Sequence, residues 1–288
     1  MLPARFEYHR PASLEEALQM LSALEEPKVL AGGQSLIPLM KFRFASPSNL
    51  VDINRIPGLA GIAEEGNVLR IGPLVRHHDV ETSEVVSARY PVLAAAAPQI
   101  ADPIVRNLGT VAGSIVHADP AGDWGSVMLA VGASFVLRNA AGEREVAASE
   151  FFRDLFTTAI EPDEMLTEVR VPAPDGQVGG TYLKLERKVG DFATVAAAVH
   201  VRMEDGRIGQ AGIGLTGVGT TNIKATEAEA SLAGAEPTED AFAEAARLAA
   251  AAANPVSDVR GSAEYKRHMV EVYVKRGLAL AVESARAA

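Results

Sequence analysis

The chain has no cysteine among its 288 residues. Without thiolates it cannot form a disulfide, ligate an iron–sulfur cluster or attach a flavin through a thioether, and a thiol nucleophile is excluded. Any redox chemistry must therefore use a bound organic cofactor.

Basic charge and long apolar runs are scarce as well. The chain has 27 Lys and Arg against 37 Asp and Glu, a formal net charge of −10, so a surface that follows nucleic-acid phosphates is not expected. No run approaches the roughly 18 apolar residues of a membrane-spanning helix, and the opening MLPARFEYHRPAS lacks the apolar core of a secretory signal. We expect a cytoplasmic protein with no transmembrane segment.

The sequence motifs of hydrolases and kinases are missing, since neither a G-x-S-x-G elbow nor a G-K-[ST] phosphate loop occurs. Metal motifs are weak. His77 and His78 are adjacent instead of four residues apart, which favours a surface or capping role. Asp119 and Asp123 lack the third oxygen-rich neighbour that a calcium loop needs, so we expect them to bond a ligand or a helix N-terminus. The sequence predicts no metal site.

Apolar residues make up 48% of the chain, enough for a sizeable core, and the length suggests two domains. SLEEALQMLSAL, with a capping box of Ser13 and Glu16, predicts a helix. The compact apolar runs KVLAGG, NLVDINRI and VLRIGP predict strands, and residues 77–100 have a helical pattern interrupted by prolines. A mixed N-terminal region of strands and helices is therefore expected.

Residues 171–180, VPAPDGQVGG, are rich enough in proline and glycine to predict a linker or domain boundary. Beyond them, two apolar runs predict strands on either side of the turn EDGR, and helical patterns follow, which indicates a C-terminal α+β domain. Residues 212–217 read G-I-G-L-T-G, the letters of a dinucleotide-binding fingerprint. VGTTN follows where that fingerprint requires a helix, so we interpret the stretch as a strand of small residues.

Two other glycine loops, AGGQS at 31–35 and GTVAGS at 109–114, each end an apolar stretch. Each offers successive backbone N–H groups with little side-chain bulk, an arrangement that binds oxyanions. The hydroxyls of Ser35, Thr110 and Ser114 are candidate additional donors. Either loop alone is typical of an ordinary turn, but two in one domain suggest a diphosphate held between them.

Several stretches, in this order, resemble the FAD-binding medium subunit of the molybdenum hydroxylases, the family of aerobic carbon monoxide dehydrogenase and xanthine dehydrogenase-type enzymes. They are FEYHRPASLEEAL, LAGGQSLIPLMKFR, LVDINRI, IADPIVRNLGTVAGSIVHADPAGDW, LKLERKVGDFATVAAAV and RGSAEYKRHM. The resemblance covers nearly the whole chain, and the length and layout are most similar to the carbon monoxide dehydrogenase branch.

The resemblance implies an α+β FAD-binding fold of the vanillyl-alcohol oxidase (PCMH) type, with subdomains at residues 1–58 and 59–175 and a C-terminal α+β domain at 176–288 that has a small antiparallel sheet and helices. It also implies non-covalent FAD, with the pyrophosphate held by both glycine loops. The cofactor contacts carried over from the family are Val29, Leu30, Ala31, Gly32, Gly33, Gln34, Ser35, Leu36, Ile100, Thr110, Val111, Ala112, Gly113, Ser114, Asp123, Leu166, Lys184 and Phe192. Arg187 and Lys188 are alternatives to Lys184.

The chain departs from its relatives at the cofactor site. Many relatives have T-I-G-G-N in the second loop, where this chain has Ala112 for the first glycine and Ser114 for the asparagine. We expect Ala112 to adopt a conformation that alanine tolerates, since a positive φ would strain it, and Ser114 to replace the amide hydrogen bonds in part. Phe192 stands where relatives often carry tyrosine, so its ring can pack on the flavin without donating a hydrogen bond.

In this family the flavin subunit works as an electron relay. The resemblance implies partners, an iron–sulfur small subunit with [2Fe-2S] clusters and a molybdopterin large subunit, in a dimer of heterotrimers that reduces an external acceptor. No catalytic acid, base or nucleophile is then needed on this chain. If the acceptor lies in a membrane, the complex would associate with the inner face of that membrane peripherally.

The large subunit decides which substrate is oxidised, so the sequence of this chain leaves the substrate open. Carbon monoxide is the first hypothesis, and the flavin subunit of a xanthine, aldehyde or N-heterocycle dehydrogenase is the alternative. A stand-alone flavin oxidase or reductase would need a base or proton donor of its own over the flavin. A nucleotide-sensing or scaffold module would bind adenine nucleotides without a flavin spectrum.

Overall fold

The computed structural model describes residues 2–287, and their N-terminal part forms a small parallel sheet with two helices. Its elements are β1 (Glu7–His9), α1 (Leu14–Ala23), β2 (Pro27–Leu30), α2 (Leu36–Phe42) and β3 (Asn49–Asp52). The strand order is β1-β3-β2. Helix α1 begins at the predicted cap, where Ser13 Oγ accepts the Glu16 N–H at 3.1 Å. The first glycine loop joins the end of β2 to the start of α2.

The second part is built on a five-stranded antiparallel sheet. Its elements are β4 (Ile62–Glu65), β5 (Val68–Ile71), α3 (His77–Glu81), α4 (Glu84–Arg89), α5 (Pro91–Ala96), a 3₁₀ turn (Ala97–Gln99), α6 (Pro103–Arg106), α7 (Val111–His117), α8 (Asp123–Ala130), β6 (Ser134–Arg138), β7 (Glu143–Ala147), α9 (Ala148–Phe151), β8 (Phe152–Asp154), β9 (Thr157–Thr158) and β10 (Met165–Pro172). The strand order is β4-β5-β10-β6-β7. Helices α3 to α8 all lie between β5 and β6 in sequence, and the second glycine loop joins α6 to α7.

The C-terminal part is a four-stranded antiparallel sheet in sequence order, followed by helices. Its elements are β11 (Gln177–Leu185), β12 (Val195–Glu204), β13 (Arg207–Thr216), β14 (Ile223–Lys224), α10 (Thr226–Leu232), α11 (Glu239–Ala252) and α12 (Ala263–Ala287). Side chains of β12 alternate between two cores. Val195, Ala197 and Val199 pack with the C-terminal helices, whereas Ala196 and Ala198 join the core of the second part. The sheet is therefore covered on both faces.

The stretch 171–180, predicted as a linker or domain boundary, contains a connection that is shorter than predicted. Strand β10 ends at Pro172 and β11 begins at Gln177, so the connection is 173–176 and the last four residues of VPAPDGQVGG are strand. A β-carbon on Gly179 would lie 2.0 Å from the Ala281 carbonyl oxygen, and one on Gly180 would lie 2.3 Å from a Val92 methyl. These glycines allow neighbouring elements to pack closely, and they do not make the chain flexible. Sequence composition alone does not distinguish glycines of these two kinds.

The stretch G-I-G-L-T-G is a strand, as predicted. A β-carbon on Gly212 would lie 1.8 Å from the Ala130 carbonyl oxygen, and one on Gly214 would lie 1.9 Å from that of Ser126, so β13 needs small residues where α8 crosses it. The next helix begins only at Thr226. The predicted α+β fold class is confirmed, and no helix within residues 2–287 combines the length and apolarity required to cross a membrane.

Candidate cofactor-binding site

The first glycine loop presents a row of free backbone donors. Within residues 2–287, the N–H groups of Gly32, Gly33, Gln34 and Ser35 have no acceptor. Gly33 has a φ of +72°, and the Gln34 side-chain amide donates to the Gly32 carbonyl oxygen at 3.0 Å, which together fix the turn. The whole loop is half-buried, and the Ser35 hydroxyl makes no capping bond to α2. Such a concave row of N–H groups is a nest that binds an anion.

The second glycine loop ends in a capped helix. Thr110 Oγ1 accepts the Gly113 N–H at 3.0 Å, and the Thr110 carbonyl oxygen accepts the Ser114 N–H at 3.0 Å. The Val111 N–H donates to Val75, which leaves the Ala112 N–H as a first-turn donor without an acceptor among the described residues.

The two departures in this loop fall inside α7. Ala112 is buried and is not among the residues with a positive φ, so the expectation of a conformation open to alanine is confirmed. Gly113 is exposed, and a β-carbon on it would lie 2.6 Å from Thr110 Oγ1. Glycine at 113 therefore preserves the cap, while Ser114 presents a half-buried hydroxyl one residue further along.

The two loops touch each other through glycine. A β-carbon on Gly32 would lie 2.3 Å from the Leu108 carbonyl oxygen and 2.7 Å from the Gly109 Cα. No side chain fits at that position unless the backbone moves. The free donors of both loops are thereby held side by side.

Arg76 ties the loops together. Its Nη1 donates to the Leu108 carbonyl oxygen at 2.5 Å, and its Nη2 donates to Asn54 Oδ1 at 2.7 Å. Asn54 Nδ2 in turn donates to the Ala31 carbonyl oxygen at 2.8 Å and to Asp52 Oδ1 at 2.7 Å. Burial lowers the pKa of Arg76 and the carboxylates of Asp79 and Asp52 oppose that shift. A guanidinium therefore stands beside the anion-binding loops.

Sequence reasoning missed Arg76 and Asn54. Asn54 lies in LVDINRI, which predicts a strand and resembles the family but carries no motif for a ligand, and Arg76 directly precedes the histidine pair His77 and His78. The one sequence signal available was an Asn and an Arg close to short strands, which is too common to select a site.

A buried polar cluster lies at the start of α8. Asp123 accepts hydrogen bonds from the Tyr182 hydroxyl at 2.6 Å and from Lys184 Nζ at 3.1 Å. Burial raises the pKa of Asp123, and the Lys184 charge and the two hydrogen bonds oppose that rise. Burial, with the Asp123 charge, also raises the pKa of Tyr182, so its hydroxyl stays protonated and donates. The side chain of Lys184 is 1% exposed, whereas that of Arg187 is 62% exposed, which favours Lys184 among the cations considered.

The remaining predicted contacts are Ile100, Leu166 and Phe192. Lys184 Nζ also donates to the Gln99 carbonyl oxygen at 3.0 Å, next to the buried Ile100. Leu166, on β10, belongs to the same core as Ile100. Phe192 is 48% exposed, on a loop whose Gly190 rests against the backbone of Ala101: a β-carbon on Gly190 would lie 2.9 Å from the Ala101 carbonyl oxygen. The second half of the predicted site, which comprises Ile100, Asp123, Leu166, Lys184 and Phe192, thus comes from five separate segments of the chain.

His77 connects the two halves, which corrects the predicted surface or capping role. It is 5% exposed, its N–H donates to the Gly109 carbonyl oxygen at 3.0 Å, and its Nδ1 accepts the Trp124 indole N–H at 2.9 Å. Burial, with the charges of Arg106 and Arg76, lowers the pKa of His77 to about 4. His77 therefore bonds the second loop through its backbone N–H and bonds α8, the helix that begins at Asp123, through its neutral ring.

The two glycine loops and Arg76 together can bind a diphosphate. Free N–H groups from both loops and the Arg76 guanidinium favour negative charge, and the contact at Gly32 keeps the loops at a fixed separation. Within residues 2–287, no three histidine, aspartate or glutamate side chains cluster as metal ligands. The residues present fit the pyrophosphate of a dinucleotide cofactor.

Comparison with known proteins agrees with this geometry. Residues 4–174 match the family described as FAD binding domain in molybdopterin dehydrogenase, and residues 180–281 match the CO dehydrogenase flavoprotein C-terminal domain. The carbon monoxide dehydrogenase medium chain of Hydrogenophaga pseudoflava is 44% identical over 96% of this chain and 97% of its own length. That of Afipia carboxidovorans is 42% identical over 100% of this chain and 99% of its own length.

A solved structure has the same fold. The carbon monoxide dehydrogenase structure from Hydrogenophaga pseudoflava that lacks the Mo-pyranopterin moiety of the molybdenum cofactor includes a chain with a TM-score of 0.96 and 46% identity, covering 99% of both chains. The two family matches together span nearly the whole sequence, and both medium chains named above align with this chain over at least 96% of its length at more than 40% identity. The chain belongs to the FAD-binding flavoprotein family of the molybdopterin dehydrogenases.

Proposed function

We propose that this chain is the FAD-binding electron-transfer subunit of a molybdenum hydroxylase, and that the complex oxidises carbon monoxide. The observation that carries the first half is the pair of glycine loops in contact at Gly32 and Leu108, with free N–H groups on both. The assignment to carbon monoxide is supported by two relatives, at 44% and 42% identity, that are named carbon monoxide dehydrogenase medium chain.

The two loops would hold the FAD pyrophosphate. Gly32 to Ser35 and Ala112 supply backbone donors, Ser35 and Ser114 supply hydroxyls, and Arg76 supplies a positive charge close by. The further contacts that we assign to the cofactor are Val29, Leu30, Ala31, Leu36, Ile100, Thr110, Val111, Gly113, Asp123, Leu166, Lys184 and Phe192. We assign the FAD-binding part to residues 1–175, in subdomains 1–58 and 59–175, and the C-terminal domain to 176–288.

Bound FAD accepts electrons singly or in pairs and so links one-electron clusters to an external acceptor. The residues of this chain would place the flavin and exclude water from its buried side, and none has to act as an acid, base or nucleophile. Because the chain has no cysteine, iron–sulfur clusters must be ligated by other subunits. We therefore propose an iron–sulfur small subunit and a molybdopterin large subunit as partners, in a dimer of heterotrimers in the cytoplasm, at the inner membrane face if the acceptor is a membrane quinone.

The second candidate is the same relay in a complex with another substrate. Its specific support is that medium subunits of nicotine and xanthine enzymes, at 35% and 28% identity, also align over 96% of this chain. A stand-alone flavin oxidase or reductase has less support, since His77 is buried and neutral between α8 and the second loop and Asp123 is paired with Lys184.

The experiment is a flavin and metal analysis of the untagged complex purified from its native source. The proposal predicts one FAD per 288-residue chain, with molybdenum, copper and iron, and carbon monoxide-dependent dye reduction. FAD and molybdenum without copper or activity on carbon monoxide would move the assignment to the second candidate. A complex without FAD, or a lone 30.3 kDa species that turns over substrate alone, would refute the relay itself.

A further inference from the structure

The motif RGSAEYKRHM contributes to the resemblance, yet it lies outside both halves of the cofactor site. It begins at Arg260 in the C-terminal domain, just before α12. Arg260 reaches a loop 68 residues earlier in the chain: its Nη1 donates to the Phe192 carbonyl oxygen at 2.5 Å, and its Nη2 lies 3.2 Å from Asp191 Oδ1. The Arg260 side chain is only 22% exposed, so this pair is sheltered from solvent.

The turn that carries Arg260 is itself anchored. Lys266, whose side chain is 4% exposed, donates to Asp258 Oδ2 at 2.7 Å and to the Val256 carbonyl oxygen at 3.0 Å. Asp258 Oδ1 accepts the Arg260 N–H at 2.8 Å. The Arg260 guanidinium therefore extends from a turn that is fixed to α12. Because the turn is already ordered, the bond to Phe192 costs little further conformational entropy.

The receiving loop, between β11 and β12, has contacts of its own. Asp191 Oδ1 accepts the Phe192 N–H at 2.8 Å, and Gly190, with a φ of +84°, rests on the backbone that follows Ile100. The Phe192 ring is 48% exposed, so core packing does not determine its position. The bond from Arg260 to the Phe192 carbonyl oxygen ties this residue's backbone to the turn before α12.

We propose that Arg260 is a positioning residue for the cofactor site: through it the C-terminal domain holds the Phe192 loop in place beside Ile100, so that the aromatic ring is presented to the flavin. The proposal rests on the proposed FAD site and goes beyond it, because it gives the C-terminal domain a part in that site. The charged groups that face Asp191 are Arg260 and Arg187, and Arg187 provides a matched control. Arg187 pairs with the same carboxylate at 3.2 Å, but within residues 2–287 it makes no hydrogen bond to Phe192.

The test uses the purified whole complex with Arg260→Ala, Arg260→Gln and Arg187→Ala. Three quantities are measured: FAD content, the visible circular dichroism of the flavin, and the rate of cleavage after Lys188 by a lysine-specific protease that does not cut after arginine. Because both glycine loops are intact, the Arg260 variants should retain FAD but show altered flavin dichroism. Cleavage after Lys188 should become about tenfold faster, since loss of a charge-assisted hydrogen bond frees the loop. Arg187→Ala should stay within about twofold of the wild type, as expected for an exposed ion pair.

The outcomes separate the two proposals. Flavin dichroism and cleavage rates within about twofold of wild type in both Arg260 variants would overturn the positioning role, as would an equal effect of Arg187→Ala. A wild-type complex without FAD would refute the proposed function, while the cleavage rates would still report whether Arg260 holds the loop. If Arg260→Ala failed to assemble, Arg260→Gln, which keeps a neutral donor, would provide the same readings.

Discussion

The carbonyl oxygen of Leu108 lies 2.3 Å from the position that a β-carbon on Gly32 would take, and this contact joins the two glycine loops. Gly32 and Gly109 are 77 positions apart in the chain, yet their loops are in contact, and both loops have N–H groups without an acceptor among the described residues. Glycine at position 32 is therefore required for the two loops to pack together, and it also leaves the backbone N–H groups of the first loop accessible.

Gly32→Ala should weaken FAD binding because the added β-carbon overlaps the Leu108 carbonyl oxygen and forces the loops apart. Overpacking of this kind costs about 1–3 kcal/mol, or about 5- to 150-fold in affinity. The measurement is FAD retained by the purified complex, followed by titration with added FAD. Gly61→Ala is the matched control, since a β-carbon there meets nothing within 4 Å. Equal FAD affinity in both variants would contradict the clamp.

Arg76→Ala should speed the release of FAD. It removes charge-assisted hydrogen bonds to Leu108 and Asn54, of a kind worth about 1.5–3 kcal/mol each, and a positive charge near the phosphates. We expect the dissociation rate to rise by at least about tenfold and Arg76→Lys to restore it only in part, because lysine lacks the two-pronged geometry. Arg89→Ala, which breaks a pair with Glu64, is the control. The account is wrong on this point if both alanine variants release FAD at the wild-type rate.

Lys184→Met should destabilise the protein because it leaves the Asp123 carboxylate buried without its cation. Breaking a buried pair on one side costs about 3–5 kcal/mol, and replacing both partners by apolar groups costs much less. The free energy of unfolding should therefore be lowest in Lys184→Met and partly recovered in the double variant with Asp123→Leu, in a double-mutant cycle. Glu244→Gln, in an exposed pair with Arg247, should change little. Additive losses in the cycle would show that the two side chains do not interact.

Stability should fall as the pH drops from about 6.5 to about 4, in part through His77. Its pKa is lowered to about 4 in the folded chain, against about 6.5 when unfolded, so the unfolded chain binds more protons in this window. Between pH 7.5 and 5 this one group removes about 2 kcal/mol. His77→Gln should show a smaller loss over the same range in urea unfolding, with His200 contributing equally in both proteins. Parallel pH profiles would contradict a buried, neutral His77.

Local patterns in the sequence predicted much of the fold. The cap at Ser13, the turn EDGR and the small residues of G-I-G-L-T-G each depend on a few neighbouring residues, and each appears where predicted. The C-terminal end of the predicted linker or domain boundary was wrong. Gly179 and Gly180 are strand residues that pack closely against α12 and Val92, which are distant in sequence.

The site was predictable only as far as its glycine loops and its resemblance to a family. Arg76 bonds residues 22 and 32 positions away, and Arg260 bonds one 68 positions away. Such contacts depend on tertiary packing. Hydrophobic periodicity and turn-forming residues report only local structure, so they do not predict these contacts. The buried setting of His77 was missed for the same reason, since Trp124 lies 47 positions further along.

The most direct test of the relay is the rate at which the native complex reduces an external acceptor with carbon monoxide, measured before FAD is removed, after its removal and after its return. Cluster reduction is followed by absorbance in the same samples. The account predicts that removal abolishes acceptor reduction while carbon monoxide still reduces the clusters, and that added FAD restores the rate with wild-type protein but far less with Gly32→Ala. Acceptor reduction that continues unchanged without FAD would contradict the central claim.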